Sequence, residues 1–189
     1  MKGLVLGVLV VVSCLKGHAD IPTKLDWQLK REQLNLKIYT ASIENSKLKA
    51  VRIETSFKSS VEPLIRLLFD PELRQSWDEM CKQVKVLGRT ERENISYLRF
   101  DMPWPVKDRD VVMKSQLNIT GKVATITSEA GDKSVPRYSQ YRRVTEAWYR
   151  WQLIDDSEQI RSGTLADSIA QTEAKTALIA EMYMDPAGP

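Results

Sequence analysis

Residues 103–112 read Pro103-Trp104-Pro105-Val106-Lys107-Asp108-Arg109-Asp110-Val111-Val112. Neither proline can donate to a β ladder, so strand pairing stops across this segment. Asp108, Arg109 and Asp110 then set a guanidinium between two carboxylates. The favoured reading is a structural ion-pair network that orders the turn. Direct ligand contact by Arg109 is the alternative.

Moving outward, strand signals lie on both sides. Val111 to Ile119 and Val123 to Thr127 flank a turn at Thr120-Gly121. Tyr141 to Leu153 is rich in β-branched and aromatic residues. Leu178, Ala180, Met182 and Met184 alternate near the end. Thr164 to Thr176 is alanine-rich and polar, and reads as a surface loop or short helix. Upstream, Val84 to Gly88 and Ile95 to Asp101 flank the polar turn Arg89 to Asn94. Before them stand two helix signals. Ser59-Ser60-Val61-Glu62 has the form of a capping box with Ser59 as cap. Val61, Leu64, Ile65 and Leu68 follow at helical spacing. Asp70-Pro71 opens a second short helix, Asp as cap and Pro in the first position; Arg74, Trp77 and Asp78 ride on it. The chain opens with a meander. Trp27 to Arg31 pairs with the alternating Leu34, Leu36 and Ile38 through a turn near Gln33, and Leu48 to Phe57 carries Val51 and Ile53 on one face. The sum is an α+β chain built on a curved antiparallel sheet with two short helices.

Composition bounds what such a chain does. It has 189 residues, 42% hydrophobic and 28% charged, enough for one core and against disorder. Residues 1–19 have the layout of a secretory signal peptide: Lys2, the apolar run Leu4 to Val12, and Gly17-His18-Ala19 before a cut at Asp20. Val11-Val12-Ser13-Cys14 also resembles a bacterial lipobox, which would lipidate Cys14 and tether the domain to a membrane. The expectation is a signal peptide over 1–19 and one domain over 20–189, exported to the periplasm or secreted. The cut removes Lys2, Lys16, Cys14 and His18 and no acid. The 28 basic residues fall by two against 25 acidic ones, so the mature domain is nearly neutral and no dedicated nucleic-acid binder. It keeps one cysteine, Cys81, and no histidine. This excludes Ser-His-Asp and Cys-His catalysis and histidine metal sites. No phosphate loop or dinucleotide fingerprint is present. No cofactor and no metal are expected. Asn94-Ile95-Ser96 and Asn118-Ile119-Thr120 match the glycosylation sequon.

The 103–112 segment resembles the PWPxxDRD signature of START domains, the lipid-binding domains related to steroidogenic acute regulatory protein. Trp27, Ile38-Tyr39-Thr40, Ser46-Lys47-Leu48-Lys49, Trp77-Asp78 and Asp185-Pro186-Ala187-Gly188 agree in order over roughly residues 25–189. The resemblance implies a helix-grip fold: a U-shaped sheet wrapping a long C-terminal helix around an apolar tunnel that shelters one lipid. That family continues past the DPxG turn into an Ile-Pro step and the long helix. This sequence stops at Gly188-Pro189, so the expectation is a domain without that helix, either truncated or with its inner face covered by a partner or lipid. The stretch Asp155 to Glu173 is also longer than the family leads one to expect.

In phosphatidylcholine and ceramide transfer members, an arginine on the second short helix with an acid four residues later meets the polar head of the lipid. Arg74 and Asp78 match that spacing. The alternative is an ordinary exposed helix pair worth a few tenths of a kcal/mol. Trp77, Trp104, Trp148 and Trp151 and Met102, Met113, Met182 and Met184 suit a tunnel lining, or equally the core. The candidate ligand-binding set is thus Arg74, Asp78, Arg109, Trp77 and Trp104. No catalytic residue is assigned. The resulting function is non-enzymatic binding of a lipid or other hydrophobic small molecule, with transient membrane contact. Two alternatives stand beside it. One is a helix-grip enzyme of the polyketide cyclase kind, working through Arg74, Asp78 and Arg109. The other is a lipoprotein interaction module held by Cys14.

Overall fold

The computed structural model describes residues 21–131, 135–156 and 174–188. The signal peptide expected over 1–19 lies outside the described residues, as does the Thr164 to Thr176 stretch up to residue 173. The strands are β1 (Gln28–Gln33), β2 (Leu36–Ser42), β3 (Lys49–Phe57), β4 (Cys81–Arg89), β5 (Glu93–Phe100), β6 (Arg109–Thr120), β7 (Val123–Ala130), β8 (Arg142–Val144), β9 (Glu146–Asp155) and β10 (Thr176–Asp185). They form one sheet in the order β1-β2-β3-β10-β9-β7-β6-β5-β4, every pair antiparallel, with β8 lying parallel to β6. The α helix α1 (Val61–Phe69) and a 3-10 helix (Pro71–Ser76) complete the described elements. This is the curved antiparallel sheet with two short helices that the sequence announces. No long helix lies among the described residues.

The register assembles an inner face. Ile53 stands opposite Ala180, Ala180 opposite Trp151, Trp151 opposite Ile126 and Ile126 opposite Leu117. α1 lays Val61, Leu64, Ile65 and Leu68 on this face against Ala124, Leu153, Leu178 and Ala180. The helical spacing therefore does what periodicity predicts: one stripe packs, half-buried, on the sheet, and the other faces water. The outer face is closed differently. Trp148, Tyr183 and Ala50 pack there against Ile21, Leu25 and Trp27 from the segment leading into β1. Beside them Glu181, 4% exposed, accepts from Arg52 at 3.2 Å and Arg150 at 2.6 Å. Arg150 also donates to the Pro22 carbonyl at 3.0 Å, which pins that segment to the sheet.

Several local expectations change. Leu34 is not on the buried face of a strand. It sits in the β1–β2 turn at φ 53 and is 95% exposed, because the two-residue connection needs left-handed backbone there. The capping box does not close. Ser60, not Ser59, is the N-cap of α1 and makes no side-chain cap bond, while the Ser59 hydroxyl donates to the Ser60 carbonyl. The second helix is a 3-10 turn. Asp70 caps it as predicted, accepting from the Glu72 N–H at 3.1 Å, but Trp77 is already its C-cap and Asp78 lies beyond it. The Tyr141 to Leu153 run is two strands. Arg142–Val144 pairs with the start of β6, and the chain then shifts at Thr145 to lie between β7 and β10.

Candidate functional site

The 3-10 helix is fixed at both ends. Asp70, its cap, is gripped by the Arg89 guanidinium at 3.3 and 3.2 Å, which ties it to the end of β4. At the other end the Trp77 indole N–H donates to the Leu67 carbonyl at 3.2 Å, and its ring meets Trp151 edge to face at 6.4 Å. This frame directs Arg74 onto the inner face of the sheet.

There the guanidinium carbon lies 4.5 Å from the Trp77 ring centre and 5.8 Å from those of Phe100 and Tyr149. Three rings from three elements thus form an aromatic cage, a setting worth about 0.5–2 kcal/mol for each cation–ring contact according to exposure. Asp78 Oδ2 accepts from both Arg74 Nε and Nη2 at 2.8 Å. The other Asp78 oxygen takes the Met80 N–H at 3.3 Å. The two side chains are 20% and 18% exposed, so this pair is no freely solvated surface pair. Its charges are matched, and the low surrounding dielectric strengthens them. Burial pushes the Tyr149 hydroxyl above its ordinary range, and Arg74 partly opposes that. Burial likewise raises the thiol of Cys81, a free and buried cysteine beside the pair, again against Arg74.

Arg74 and two of its three rings, Phe100 and Tyr149, line a narrow cavity of about 40 Å³. The floor comes from β5, β6, β7 and β9, with Leu98, Phe100, Met113 and Trp151 among its apolar members. That space is far smaller than an open small-molecule pocket, so a lipid-sized ligand requires the walls to part or α1 to shift. The cavity also holds polar residues that the sequence did not single out: Asn94, Ser96, Ser115, Ser128 and Tyr149. Their one signal was misleading. Asn94-Ile95-Ser96 reads as a sequon, yet Asn94 is 2% exposed and its amide donates to the Phe69 carbonyl at 2.9 Å, which closes it to a glycan in the folded domain.

The remaining candidates stand apart. Trp77 joins Arg74 and Asp78 as part of the cage. Trp104 does not join them: it is 92% exposed on the loop between β5 and β6. Arg109 is 4% exposed and its guanidinium serves backbone carbonyls, those of Lys107, Pro186 (at 3.2 Å) and Gly188. It clasps the DPxG turn to the start of β6 and does not line the cavity. The expected arrangement, Arg109 between two carboxylates, is corrected. Asp110 instead takes two bonds from Arg143, at 2.9 and 2.7 Å, and Asp108 accepts the Met102 N–H at 3.0 Å. Sequential side chains on a strand point to opposite faces, so Arg109 and Asp110 could not meet. Of the methionines, Met113 lines the cavity. Met182 and Met184 share its face through the register with Tyr149 and Ala147. Trp148 is on the outer face. Among the described residues no group of three or more His, Cys, Asp or Glu could hold a metal ion.

Comparison with known proteins agrees with this architecture. The family model of the START domain matches residues 23–184. The chain belongs to the START domain family. It is 29% identical over 154 residues to the uncharacterized protein PA1579 of Pseudomonas aeruginosa, covering 81% of this chain and 76% of that one. Among solved structures, the STAR-related lipid transfer protein (fragment 25–204) from Xanthomonas axonopodis superposes with TM-score 0.71 at 23% identity, over 86% of this chain and 83% of that one. Human STARD10 superposes with TM-score 0.68 at 17% identity, over 86% of this chain and 62% of its own. At these identities the likeness is one of fold.

Proposed function

We propose that this domain binds one lipid or other hydrophobic ligand along the inner face of its sheet, polar end toward Arg74 and Asp78, and does not chemically change it. The observation that carries the reading is the partly buried Arg74–Asp78 pair, ringed by aromatics, with Arg74 at the wall of a cavity that has both apolar and polar walls. A guanidinium held this way retains donor capacity toward phosphate or hydroxyl oxygens, and the surrounding rings exclude the water that would compete. Family membership, and neighbours described as lipid transfer proteins, support lipid as the ligand class. The cyclase-like alternative is weaker, because Asp78 already accepts two bonds from Arg74 and is no free base. The layout of residues 1–19 supports work after export, in the periplasm or outside the cell, with a Cys14 anchor as the alternative. The exposed Trp104 supports transient membrane contact during loading, since indole favours the interface between water and lipid.

The test is Arg74→Ala. Wild type and variant are incubated with vesicles of mixed bacterial lipids, re-isolated, and their bound lipid measured by mass spectrometry. The variant should lose most of its lipid while circular dichroism shows it still folded, at a lower melting temperature because Asp78 is left without its cation. Unchanged lipid occupancy would sink the headgroup role of Arg74.

A further inference from the structure

The β1–β2 hairpin forms an arm at the edge of the sheet. β1 is exposed at every position, and the turn at the tip of the arm is Leu34-Asn35. Leu34 is out of place there on two counts. Its backbone is left-handed, at φ 53, where Gly, Asn or Asp is the usual occupant of a hairpin turn. Its side chain is 95% exposed and adds no packing to the fold. A residue that strains the backbone and gives the core nothing in return is best explained by a contact made outside the domain.

A second apolar side chain stands beside it. The Asn35 amide donates to the Ser56 carbonyl at 3.1 Å, which ties the turn to the end of β3. There the next residue, Phe57, is 40% exposed. Cations surround this tip. Residues 28–39 hold Lys30, Arg31 and Lys37 against the carboxylate of Glu32, which pairs with Lys37 at 3.2 Å. Lys30 and Arg31 donate to the neutral side chains of Gln28 and Gln33, at 3.1 and 2.7 Å. Glu54, opposite Lys37 on β3, is held by Arg52 at 2.8 Å. The charge of Lys30 and Arg31 is therefore open to a partner.

Shape selects that partner. A two-residue turn on a projecting arm offers far less than the roughly 800 Å² per side of a stable protein interface. An apolar side chain at such a tip, with cations behind it, suits insertion among lipid headgroups, and each cation adds attraction to an anionic surface. The tip is also separate from Trp104. Strand pairing sets Phe57 beside Thr176, Thr176 beside Asp155, Ile154 beside Val123 and Val123 beside Thr120 at one margin of the sheet. Phe100 and Arg109, which bracket the Trp104 loop, face each other at the opposite margin.

We infer that the β1–β2 tip docks the domain on an anionic lipid surface, with Leu34 inserted and Lys30 and Arg31 against the headgroups, at the margin opposite Trp104. This inference rests on the reading of the domain as a lipid binder that visits membranes.

The test is Leu34→Asn, which removes the apolar side chain and installs a residue suited to the left-handed turn. Docking is read by co-sedimentation with vesicles of phosphatidylglycerol or of phosphatidylcholine. The variant should bind phosphatidylglycerol vesicles about tenfold more weakly. Its melting temperature should equal or exceed that of wild type, and its bound lipid should be unchanged. Lys30→Gln/Arg31→Gln should remove most of the preference for phosphatidylglycerol over phosphatidylcholine. Leu34→Asn/Trp104→Ala should lose more than either single change. Unchanged association of Leu34→Asn, beside a loss in Trp104→Ala, would overturn the inference and leave membrane contact standing. A lower melting temperature of Leu34→Asn would assign Leu34 to the fold and overturn it too. So would a dimer, seen by light scattering, that Leu34→Asn splits without a change in vesicle association. A wild-type protein that sediments with neither vesicle would overturn the inference together with membrane contact, and a lipid adduct on that protein would leave the binding reading standing.

Discussion

Replacing Arg143 by methionine removes one half of the most buried ion pair among the described residues. Asp110 is 1% exposed, and the Arg143 side chain 7%. Two hydrogen bonds, at 2.9 and 2.7 Å, hold them together, and Arg143 also donates to the Val135 and Pro136 carbonyls at 3.1 and 3.0 Å. The guanidinium further sits over the Tyr97 ring at 5.9 Å. Methionine keeps much of the stem's packing but leaves the carboxylate buried without its cation. Breaking such a pair from one side costs about 3–5 kcal/mol, against a total stability of about 5–15 kcal/mol. With a urea slope of about 2 kcal/mol/M, the unfolding midpoint should fall by roughly 2 M. Replacing both partners, Asp110→Asn with Arg143→Met, strands no charge and should recover a substantial part of the loss. Urea denaturation followed by tryptophan fluorescence, run as a double-mutant cycle, measures this. A single Arg143→Met cost below about 1 kcal/mol at unchanged slope would refute the assignment of Asp110 to Arg143 as a buried, mutually dependent pair.

Other outcomes follow from the same geometry. Burial first, and Asp110 second, push the Tyr97 hydroxyl well above its ordinary range, and burial raises Tyr149. A raised folded-state value means the folded chain holds the proton that the unfolded chain releases. The stabilisation is complete below about pH 10 and is lost as pH rises beyond it, so the melting temperature should drop above that pH and drop less in Tyr97→Phe. Burial also raises the Cys81 thiol, so at pH 8 a disulfide reagent should label the native protein at least roughly 100-fold more slowly than the urea-unfolded chain. Trp104, at 92% exposure, packs on nothing: Trp104→Ala should change stability by less than about 0.5 kcal/mol while lowering association with anionic vesicles, read by co-sedimentation.

The fold was legible in the sequence where local patterns decide it. The helical stripe of α1, the Asp70-Pro71 start and the turn at Thr120-Gly121 each depend on residues within a few positions of one another. What stayed hidden depends on distant partners. Arg109 serves carbonyls at Pro186 and Gly188, and Asp110 finds Arg143; no local spacing signals either contact. The run at 141–153 looked continuous because no glycine or proline interrupts it, and only the long-range choice of β6, then β7 and β10, divides it. In the site, Arg74, Trp77 and Asp78 were legible because one helix and its exit carry them. The cavity serines Ser96, Ser115 and Ser128 were not. Polar residues alternating along a strand normally mark its wet face, and here they lie on the covered one.

The proposed function places a single ligand on the inner face of this sheet. Native mass spectrometry of residues 20–189, purified from cells without detergent, is the measurement to make. One lipid-sized adduct per chain is expected, released by mild collisional activation and depleted in Arg74→Ala. A folded protein that carries no adduct, before and after exposure to lipid vesicles, would contradict it.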